Sequence, residues 1–336
     1  MYDDLKSVVR AYRRRHGIKA TDSWAALAWI ALWGLLHYVA LARWLLGLGG
    51  LPNAVVLGCS IWWWSGAIIH DATHYSLAYK STVSERIGWL GGWMFCLPST
   101  WLRQHVTGHH VHTNVEGHDP DLYHWTRFFH VRPRHRDPTP SHGWATLVVR
   151  SFSSLLASLR GTHKLLSDAR WKGCDAVIVW SGREALWLSI QWALFVGMLV
   201  FVGYRTSVCM AAVPFAVVGV LYYGFSQVSH INAESFEKGK GTAAAPQSNE
   251  WAVHQIATTR GDYGYRSRLW YLLSIGLNNQ AIHHCFPSVH PCHYPALSRL
   301  MKPVFEKHGL PQNGWEQSFG DALRLHFMHL QALNEY

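Results

Sequence analysis

The stretch LPNAVVLGCSIWWWSGAIIHDATH, residues 51–74, has no charged residue in its first 19 positions and ends with two histidines. An uncharged apolar run of this length is typical of a helix that crosses a membrane. His70 and His74 are four residues apart, and residues at this spacing lie on one face of a helix. The stretch therefore predicts a membrane helix that presents two imidazoles just beyond its apolar part.

The composition of the whole chain agrees with a membrane protein. Charged residues make up only 15% of the 336 positions, whereas an ordinary soluble domain has roughly 25%. The 19 tryptophans and 14 tyrosines suit the aromatic belts at membrane interfaces. The formal charge of +10 suits anionic lipid headgroups or an acidic protein partner. No basic and aromatic nucleic-acid motif occurs, so nucleic acid is not an expected partner.

Four apolar runs are long enough to cross a bilayer, at about residues 24–46, 51–69, 185–204 and 206–229. The links within the first pair and within the second pair are very short, so each pair is predicted to form a helical hairpin. The stretch 84–102 is also apolar, but glycines and a proline interrupt it. We interpret that stretch as an interfacial or re-entrant helix, with a fifth span as the less favoured alternative.

The positive charges predict the orientation of these spans. Segment 1–23 carries six Lys and Arg, segment 70–184 carries thirteen, and segment 231–336 carries nine. Loops rich in Lys and Arg stay in the cytoplasm. Both termini and the large middle segment are therefore expected on the cytoplasmic side, with plasma membrane and endoplasmic reticulum both left open.

The 23 histidines collect at or just beyond the predicted ends of the apolar runs. One tetrahedral metal takes about four protein ligands, so the eight strongest candidates predict two metals. The six cysteines contain no C-x-x-C pair, which gives no support to a zinc ribbon or a disulfide framework. The eight candidate ligands are His70, His74, His105, His109, His110, His230, His283 and His284.

Spacing indicates how these ligands are shared. His105 and His109 can hold one metal or supply two adjacent metals, and His110 points about 100° away from His109 on an α-helix. His283 and His284 could divide between two metals in the same way. Imidazole suits zinc, copper, iron and nickel, so the ligands alone leave the metal open.

Three segments resemble the histidine boxes of the membrane fatty acid desaturases. They are HDATH (70–74), HVTGHH (105–110) and QAIHH (280–284), which are similar to H-x3-H, H-x3-HH and Q-x2-HH. The segments HHVHTNVEGHDPDL, EWAVHQIATTRGDYG and GLNNQAIHHCFPSVH extend the likeness. The resemblance covers about residues 50–300, with the box order and spacing of the family.

The resemblance implies a fold and an activity. It implies a single domain, 1–336, with four transmembrane helices under a helical cytosolic cap formed by 70–184 and 230–336. It implies two non-haem irons held mostly by histidines, and removal of two hydrogens from an acyl chain with O2 as co-substrate. All eight candidate histidines match ligand positions, with His230 as the additional ligand between the second and third boxes. Gln280 replaces a histidine of the third box, either as a direct ligand or through water.

Other residues are candidates for supporting roles. His112 and His254 could be ligands or could hydrogen-bond to ligands. Asp71, Asp119 and Asp121 are candidate acceptors that orient imidazole N–H groups, with a solvated turn as the alternative for them. An apolar tunnel must hold the acyl chain, and its candidate residues are Trp63, Trp64, Trp93, Trp101, Tyr222 and Phe225.

The electron source and the exact reaction stay open at this stage. No His-Pro-Gly-Gly haem motif and no G-x-G-x-x-G nucleotide motif occurs, so we expect an external donor of the ferredoxin or cytochrome b5 type. The acyl carrier could be a lipid, coenzyme A or acyl carrier protein. A fatty acyl or lipid hydroxylase or acetylenase on the same scaffold is the main alternative. A histidine-rich metal transporter and a zinc-dependent membrane hydrolase are two others.

Overall fold

The computed structural model describes residues 1–17, 24–78, 80–115, 119, 121, 182–237, 251–259, 262–310 and 317–332. Within these ranges every regular element is a helix and no strand occurs, which confirms the all-α prediction for this part of the chain. The predicted cap residues 122–181 and 238–250 lie outside the described residues. The two hairpins, the cytosolic cap and the single domain stay predictions.

The first half of the described chain contains five helices. They are α1 (Tyr2–His16), α2 (Trp24–Leu45), α3 (Gly50–Thr73), α4 (Ser81–Gly91) and α5, which runs through Pro98–Trp101, Leu102–His109 and His110–His112. Two stretches inside these helices are π-helical, namely Ile61–Gly66 in α3 and Leu102–His109 in α5.

The second half contains eight helices in the described residues. They are α6 (Gly182–Arg205), α7 (Val208–Ser226), α8 (Ala233–Glu237), α9 (Trp251–Ala257), α10 (Arg268–Ser274), α11 (Gln280–Cys285), α12 (Tyr294–Lys307) and α13 (Phe319–Ala332). Short 3-10 turns lie at Gly92–Met94, Leu277–Asn279 and Pro291–His293.

Four of the described helices are long and apolar enough to cross a membrane. They are α2, α3, α6 and α7, over Leu27–Leu45, Gly50–Thr73, Ala185–Arg205 and Val208–Ser226. Helix α3 is the central one, because 67% of its most apolar stretch is buried inside the protein. The buried share of the corresponding stretch is at most 39% in each of the other three spans. It packs against both α2 and α7.

Helix α3 extends beyond the predicted apolar run. The run ends at residue 69, but the helix continues to Thr73, and the Thr73 hydroxyl donates to the Ile69 carbonyl at 2.8 Å. The extension is possible because α4 packs against this end of α3 and buries the polar residues there. His70 therefore lies within the helix, and His74 lies at its C-cap.

The stretch 84–102, interpreted above as an interfacial or re-entrant helix, is not a single helix, because its glycines and proline interrupt it. Helix α4 ends at Gly91, and Pro98 begins α5. A Cβ atom at Gly91 would lie 2.7 Å from Ile68 Cγ2, so glycine permits the close approach of α4 to α3. The interfacial location of this stretch stays a prediction.

A second apolar core supports α11. Leu5 and Val9 of α1 share this core with Met301 and Phe305 of α12 and with Ile282 of α11. All five side chains are at most 5% exposed. Helix α11, which contains the third histidine segment, therefore packs against α1 and α12 in one core, although α1 is far from the other two helices in sequence.

Candidate metal centre

The histidines from all three sequence segments converge on one buried site. Among the described residues, groups of side chains able to hold a metal have ligand atoms within 4.8 Å of one another. These groups are His70, His74, His105 and His283; His109, His230 and His284; and His105, His109 and Asp121. Every histidine in them is buried. The second group joins residues that lie in three different parts of the sequence.

His110 lies between the two all-histidine groups. Its Nε2 atom is 3.2 Å from Nε2 of His105 in the first group. Its ring stacks on the ring of His284 in the second group, with ring centroids 4.1 Å apart. The eight candidate ligands therefore form one continuous cluster.

The π-helical part of α5 creates a contact that α-helical spacing does not predict. Residues five apart on an α-helix point about 140° away from each other, whereas π-helical hydrogen bonds join residues five apart. His105 and His110 meet for this reason. His105 falls in the first all-histidine group and His109 in the second, and His283 and His284 are divided in the same way. His105 and His109 also share the third group with Asp121, so both arrangements that spacing allows stay predictions.

Two carboxylates contact the Nδ1 atoms of candidate ligands. Nδ1 of His70 lies 3.0 Å from Oδ1 of Asp71, and Nδ1 of His109 lies 3.1 Å from both oxygens of Asp119. The second oxygen of Asp71 lies 3.3 Å from Nε2 of His290, so that carboxylate is itself held on two sides. An Nδ1–H group that donates to such an acceptor leaves the lone pair on Nε2 for a metal.

Uncharged oxygens do the same for three further imidazoles. Nδ1 lies 3.2 Å from the Thr258 carbonyl in His230, 3.2 Å from the Tyr294 hydroxyl in His283, and 2.8 Å from the Gln255 amide oxygen in His284. Five of the eight rings are thus oriented through Nδ1. A set of rings fixed in this way is typical of a metal site.

The residues of the site fit a metal. Among the described residues, Nε2 of His74, His230 and His284 is buried without a hydrogen-bond partner, which is costly unless something else binds the lone pair. Nε2 of His70 lies 3.1 Å from Nε2 of His283. Two nitrogens that bind one ion at about 2 Å lie roughly 3 Å apart, so this separation suits ligands of a common ion.

Burial keeps most of the cluster neutral. It is the main cause that lowers the pKa of His74, His105, His110, His283 and His284 well below the usual value, and neighbouring histidines lower it further. Burial and His109 lower the pKa of His230 to about 3. Neutral imidazole is the form that binds metals.

His109 is the exception. Burial opposes its protonation, but the carboxylates of Asp119 and Asp121 outweigh burial and raise the pKa of His109 to about 9. In the absence of a metal, the His109 ring therefore carries a proton at neutral pH. A metal at this position replaces that proton as the positive charge beside the two carboxylates.

The sequence model of the fatty acid desaturase family matches residues 42–315. The chain belongs to this family. The match contains all three histidine segments and three of the four spans almost completely. Since a family of membrane enzymes and four apolar helices agree, the chain is an integral membrane protein.

Several characterised members of the family are similar to this chain. The acyl-lipid omega-13 desaturase of Chlamydomonas reinhardtii is 26% identical over 92% of the chain and 66% of its own length. The acyl-lipid (8-3)-desaturase of Mortierella alpina is 28% identical, over 79% and 60%. The Delta(5) fatty acid desaturase A of Dictyostelium discoideum is 27% identical, over 79% and 59%. The chain thus spans about 60% to 66% of the length of these relatives. No solved structure matches the chain.

The other candidate residues in this desaturase-family chain lie around the cluster. Oδ2 of Asp121 is 3.6 Å from Nδ1 of His109, and Oδ1 accepts a hydrogen bond from Gln104. His112 and His254 belong to none of the three groups found in the described residues. Nε2 of His254 lies 2.9 Å from the Thr113 carbonyl, so His254 supports the loop after α5.

Gln280 lies in the wall of the site. Its side chain is buried, and no described residue hydrogen-bonds to its Oε1 atom. It lines a cleft together with four of the histidines, His70, His105, His109 and His230. This arrangement leaves Oε1 available for a metal or for a water molecule.

Two of the six tunnel candidates line the cleft beside the histidines, and the tunnel itself stays a prediction. Trp101 and Tyr222 line the cleft, but Trp63, Trp64, Trp93 and Phe225 do not. Sequence reasoning missed four apolar residues of the wall, which are Trp62, Phe95, Ile275 and Leu277. The neighbouring indoles of Trp62 and Trp63 both donate to the Leu273 carbonyl, at 3.0 and 2.9 Å.

Sequence reasoning also missed residues that hold the third histidine segment. Both oxygens of Asp262 accept backbone N–H groups at the start of α11, from Gln280 and Ala281 at 2.9 Å each. The signal was present in the segment EWAVHQIATTRGDYG, which supplies Asp262 together with Gln255 and Thr258. The residues lie behind the ligands, and their type alone does not show which group they contact.

Proposed function

We propose that this protein desaturates a fatty acyl chain, with O2 as co-substrate, at a histidine-held di-iron centre. The proposed iron ligands are His70, His74, His105, His109, His110, His230, His283 and His284, with Gln280 as a further ligand directly or through water. The observation that carries the proposal is the convergence of eight buried imidazoles at the end of a membrane-length helix. Family membership supplies the class of reaction.

The two irons, when bound, supply the activation of O2 that is needed to break unactivated C–H bonds. The chain's own residues provide the lone pairs, the orientation and the surroundings. Asp71 and Asp119 accept hydrogen bonds from His70 and His109, and such contacts fix the ring orientation and raise the basicity of a ligand.

The cleft gives the acyl chain a place to bind. Its wall combines Trp62, Phe95, Trp101 and Tyr222 with the histidines, so an apolar chain can lie against aromatic rings while one carbon pair faces the metals. Holding the reacting atoms in position is a large part of catalysis in such a site. The apolar wall also excludes water from the reacting carbons.

The relatives' names support the choice of substrate carrier. Those of Chlamydomonas reinhardtii and Mortierella alpina are named acyl-lipid desaturases. We infer that this chain also acts on an acyl-lipid rather than on acyl-coenzyme A or acyl carrier protein. The proposed topology has both termini and the active site on the cytoplasmic side.

An acidic ferredoxin or cytochrome b5 type donor is the proposed source of electrons. The exposed last turn of α1 carries Arg13, Arg14 and Arg15. At the other end of α1, the Tyr2 hydroxyl donates to the Cys285 carbonyl at 3.2 Å, and Cys285 directly follows His284. The basic last turn has its own contact near the third histidine segment, because Arg13 Nη2 donates to the Ser288 carbonyl at 3.5 Å, four residues after His284.

Expression in a host with analysed lipids tests the function. The acyl chains are examined by gas chromatography–mass spectrometry, and iron is measured in the purified protein. We expect a new double bond and bound iron in the wild type, and loss of both in His109→Ala. His308→Ala, at an exposed position at the C-cap of α12, is the matched control and keeps both.

Other outcomes of this experiment separate the alternatives. A hydroxylated or alkynyl product would assign the hydroxylase or acetylenase reaction to the same site. A product that forms without O2 on a zinc-containing protein would contradict the desaturase proposal.

A further inference from the structure

Ile275 has a backbone conformation that is unusual for its residue type. It forms the C-cap of α10 with φ 54° and ψ 32°, which is the left-handed region. A β-branched residue is a clear outlier there, since its Cβ atom crowds the backbone. Glycine is the usual residue at such a helix end because it adopts this conformation without the crowding.

The surrounding structure holds the turn in this shape. The Leu273 carbonyl accepts the indole N–H groups of Trp62 and Trp63. The Ser274 hydroxyl accepts the backbone N–H of Asn278 at 3.1 Å. Ile275 is therefore fixed from both sides and cannot relax toward an ordinary conformation.

Gly276 fixes the next position. It also has a positive φ, 88°, and a Cβ atom there would lie only 2.4 Å from Pro291 Cβ. The chain consequently passes through two successive left-handed residues, of which only the second is a glycine. Strained residues that their surroundings fix in this way occur preferentially at binding and catalytic sites.

The side chain of Ile275 lies at such a site. It lines the same cleft as Leu277, Gln280 and the candidate ligands His70 and His230. It is partly buried and packs against the apolar core that contains Trp62. The strained turn thus presents a rigid, branched side chain next to the proposed metal ligands.

We propose that Ile275 is a specificity-determining residue that selects unbranched acyl chains and sets their position against the histidines. This proposal rests on the desaturase function proposed above. A branched side chain on a rigid turn narrows the cleft, so that a plain methylene chain passes while a chain with a methyl branch at that depth is rejected. The same contact limits which carbon pair faces the metals.

The first test compares Ile275→Gly and Ile275→Ala with the wild type in a host that contains straight and methyl-branched acyl chains. A pocket discriminates one methyl-sized group by about 10- to 200-fold. We therefore expect the ratio of branched to straight desaturated product to rise at least about tenfold, with additional double-bond positions. The matched control is Leu273→Ala, which removes a nearby, partly buried side chain that does not line the cleft, and it leaves the ratio unchanged.

The second test measures thermal unfolding of the purified full-length proteins with stearate or a series of methyl-branched stearates. This readout is independent of turnover, so it stands even if the wild type makes no desaturated product and the proposed function fails. The wild type should be stabilised by the straight chain alone, and the two variants by both kinds of chain. Without any ligand, Ile275→Gly should unfold at a higher temperature than Ile275→Ala, because both variants lose the packing of the side chain and only glycine also removes the crowding of the Cβ atom.

An unchanged product ratio and an unchanged ligand preference in folded Ile275→Gly and Ile275→Ala would overturn the proposal. Ile275 would then be a packing residue. If Ile275→Gly fails to fold, Ile275→Ala decides the question, because alanine keeps a Cβ atom and shortens only the branched part.

Discussion

Asp119 illustrates how much a single residue contributes to this site. Its two oxygens lie 3.1 Å from Nδ1 of His109, and Oδ2 also accepts the backbone N–H of Asn114 at 2.7 Å. The carboxylate is only 1% exposed. It therefore orients His109 and holds the loop after α5, and it would compensate part of the charge of a metal bound by His109.

The first residue-scale prediction concerns this carboxylate. We expect Asp119→Asn to weaken iron binding by about 10- to 100-fold, which is the usual effect of losing an acceptor behind a metal ligand. Chelator titration of the purified protein measures it. The control is Asp3→Asn, an exposed carboxylate of α1. Equal iron affinity of Asp119→Asn and wild type would show that Asp119 does not act through His109.

The second residue-scale prediction concerns pH. Burial is the main influence on Asp262 and raises its pKa to about 7, although hydrogen bonds from Ala281, Tyr265 and Gln280 oppose the rise. The unfolded value is about 3.9, so the folded state holds the proton more tightly. This contribution to stability is complete below about pH 4 and is lost as the pH rises through about 7.

Asp262→Asn removes the titration while keeping a similar shape. Between pH 5 and pH 8, we expect the thermal midpoint of the wild type to fall relative to that of Asp262→Asn. Parallel midpoint curves for the two proteins would contradict the assignment of a raised pKa to Asp262.

At the scale of elements, the contact between α3 and α7 controls the relative position of two histidine segments. Gly58 of α3 faces α7, and a Cβ atom there would lie 2.6 Å from both the Pro214 carbonyl oxygen and Val217 Cβ. Small residues allow such close approach of membrane helices. His70 lies in α3 and His230 follows α7. The distance between the two helices therefore affects the distance between these two histidines.

The element-scale prediction uses two glycines. Gly58→Ala should destabilise the protein by about 1–3 kcal/mol, the usual cost of overpacking, and should lower the iron content. Gly197→Ala in α6 is the matched control, since a Cβ atom there meets nothing within 4 Å. The measurement is the thermal midpoint in detergent, with iron per protein. Similar midpoints for the two variants would mean that the close contact between α3 and α7 at Gly58 does not require glycine.

At the scale of the whole molecule, α1 carries a group of basic side chains and also contacts the segment that contains His283 and His284. This helix packs on α12 and reaches the residue after His284 through Tyr2. Its last turn carries four basic side chains including His16. An acidic donor that docks at this last turn would lie near Ser288, whose carbonyl accepts from Arg13 Nη2 at 3.5 Å and which is four residues after His284.

The whole-molecule prediction reverses this charge. We expect Arg13→Glu with Arg14→Glu to slow electron transfer from an acidic donor at low salt, with a smaller difference from wild type at high salt, because salt screens exposed charges. Stopped-flow reduction at several ionic strengths measures it. Arg205→Glu, at the last residue of α6, is the control. If the rate of electron transfer changes neither with the substitutions nor with the ionic strength, α1 is excluded as the docking surface.

Some features follow from local sequence alone. Length and apolar character determine the four spans, because any segment in lipid must satisfy its backbone hydrogen bonds internally. The candidate ligands could be named because histidines at short, regular spacing stand out against an apolar background. These properties depend only on neighbours in the chain, so His70, His74 and the six other candidates were found without a structure.

Other features depend on contacts between distant segments, and only the tertiary structure decided them. The grouping of His109 with His230 and His284, the orientation of rings by Gln255 and Tyr294, and the left-handed Ile275 have no local signal. The π-helical turns change which residues share a face, so α-helical spacing alone did not pair His105 with His110. Sequence alone determined that a cluster of histidines lies at the end of a membrane-length helix. Packing between α3, α5, α7 and α11 determined which imidazoles lie in the same group and which residues line the cleft beside them.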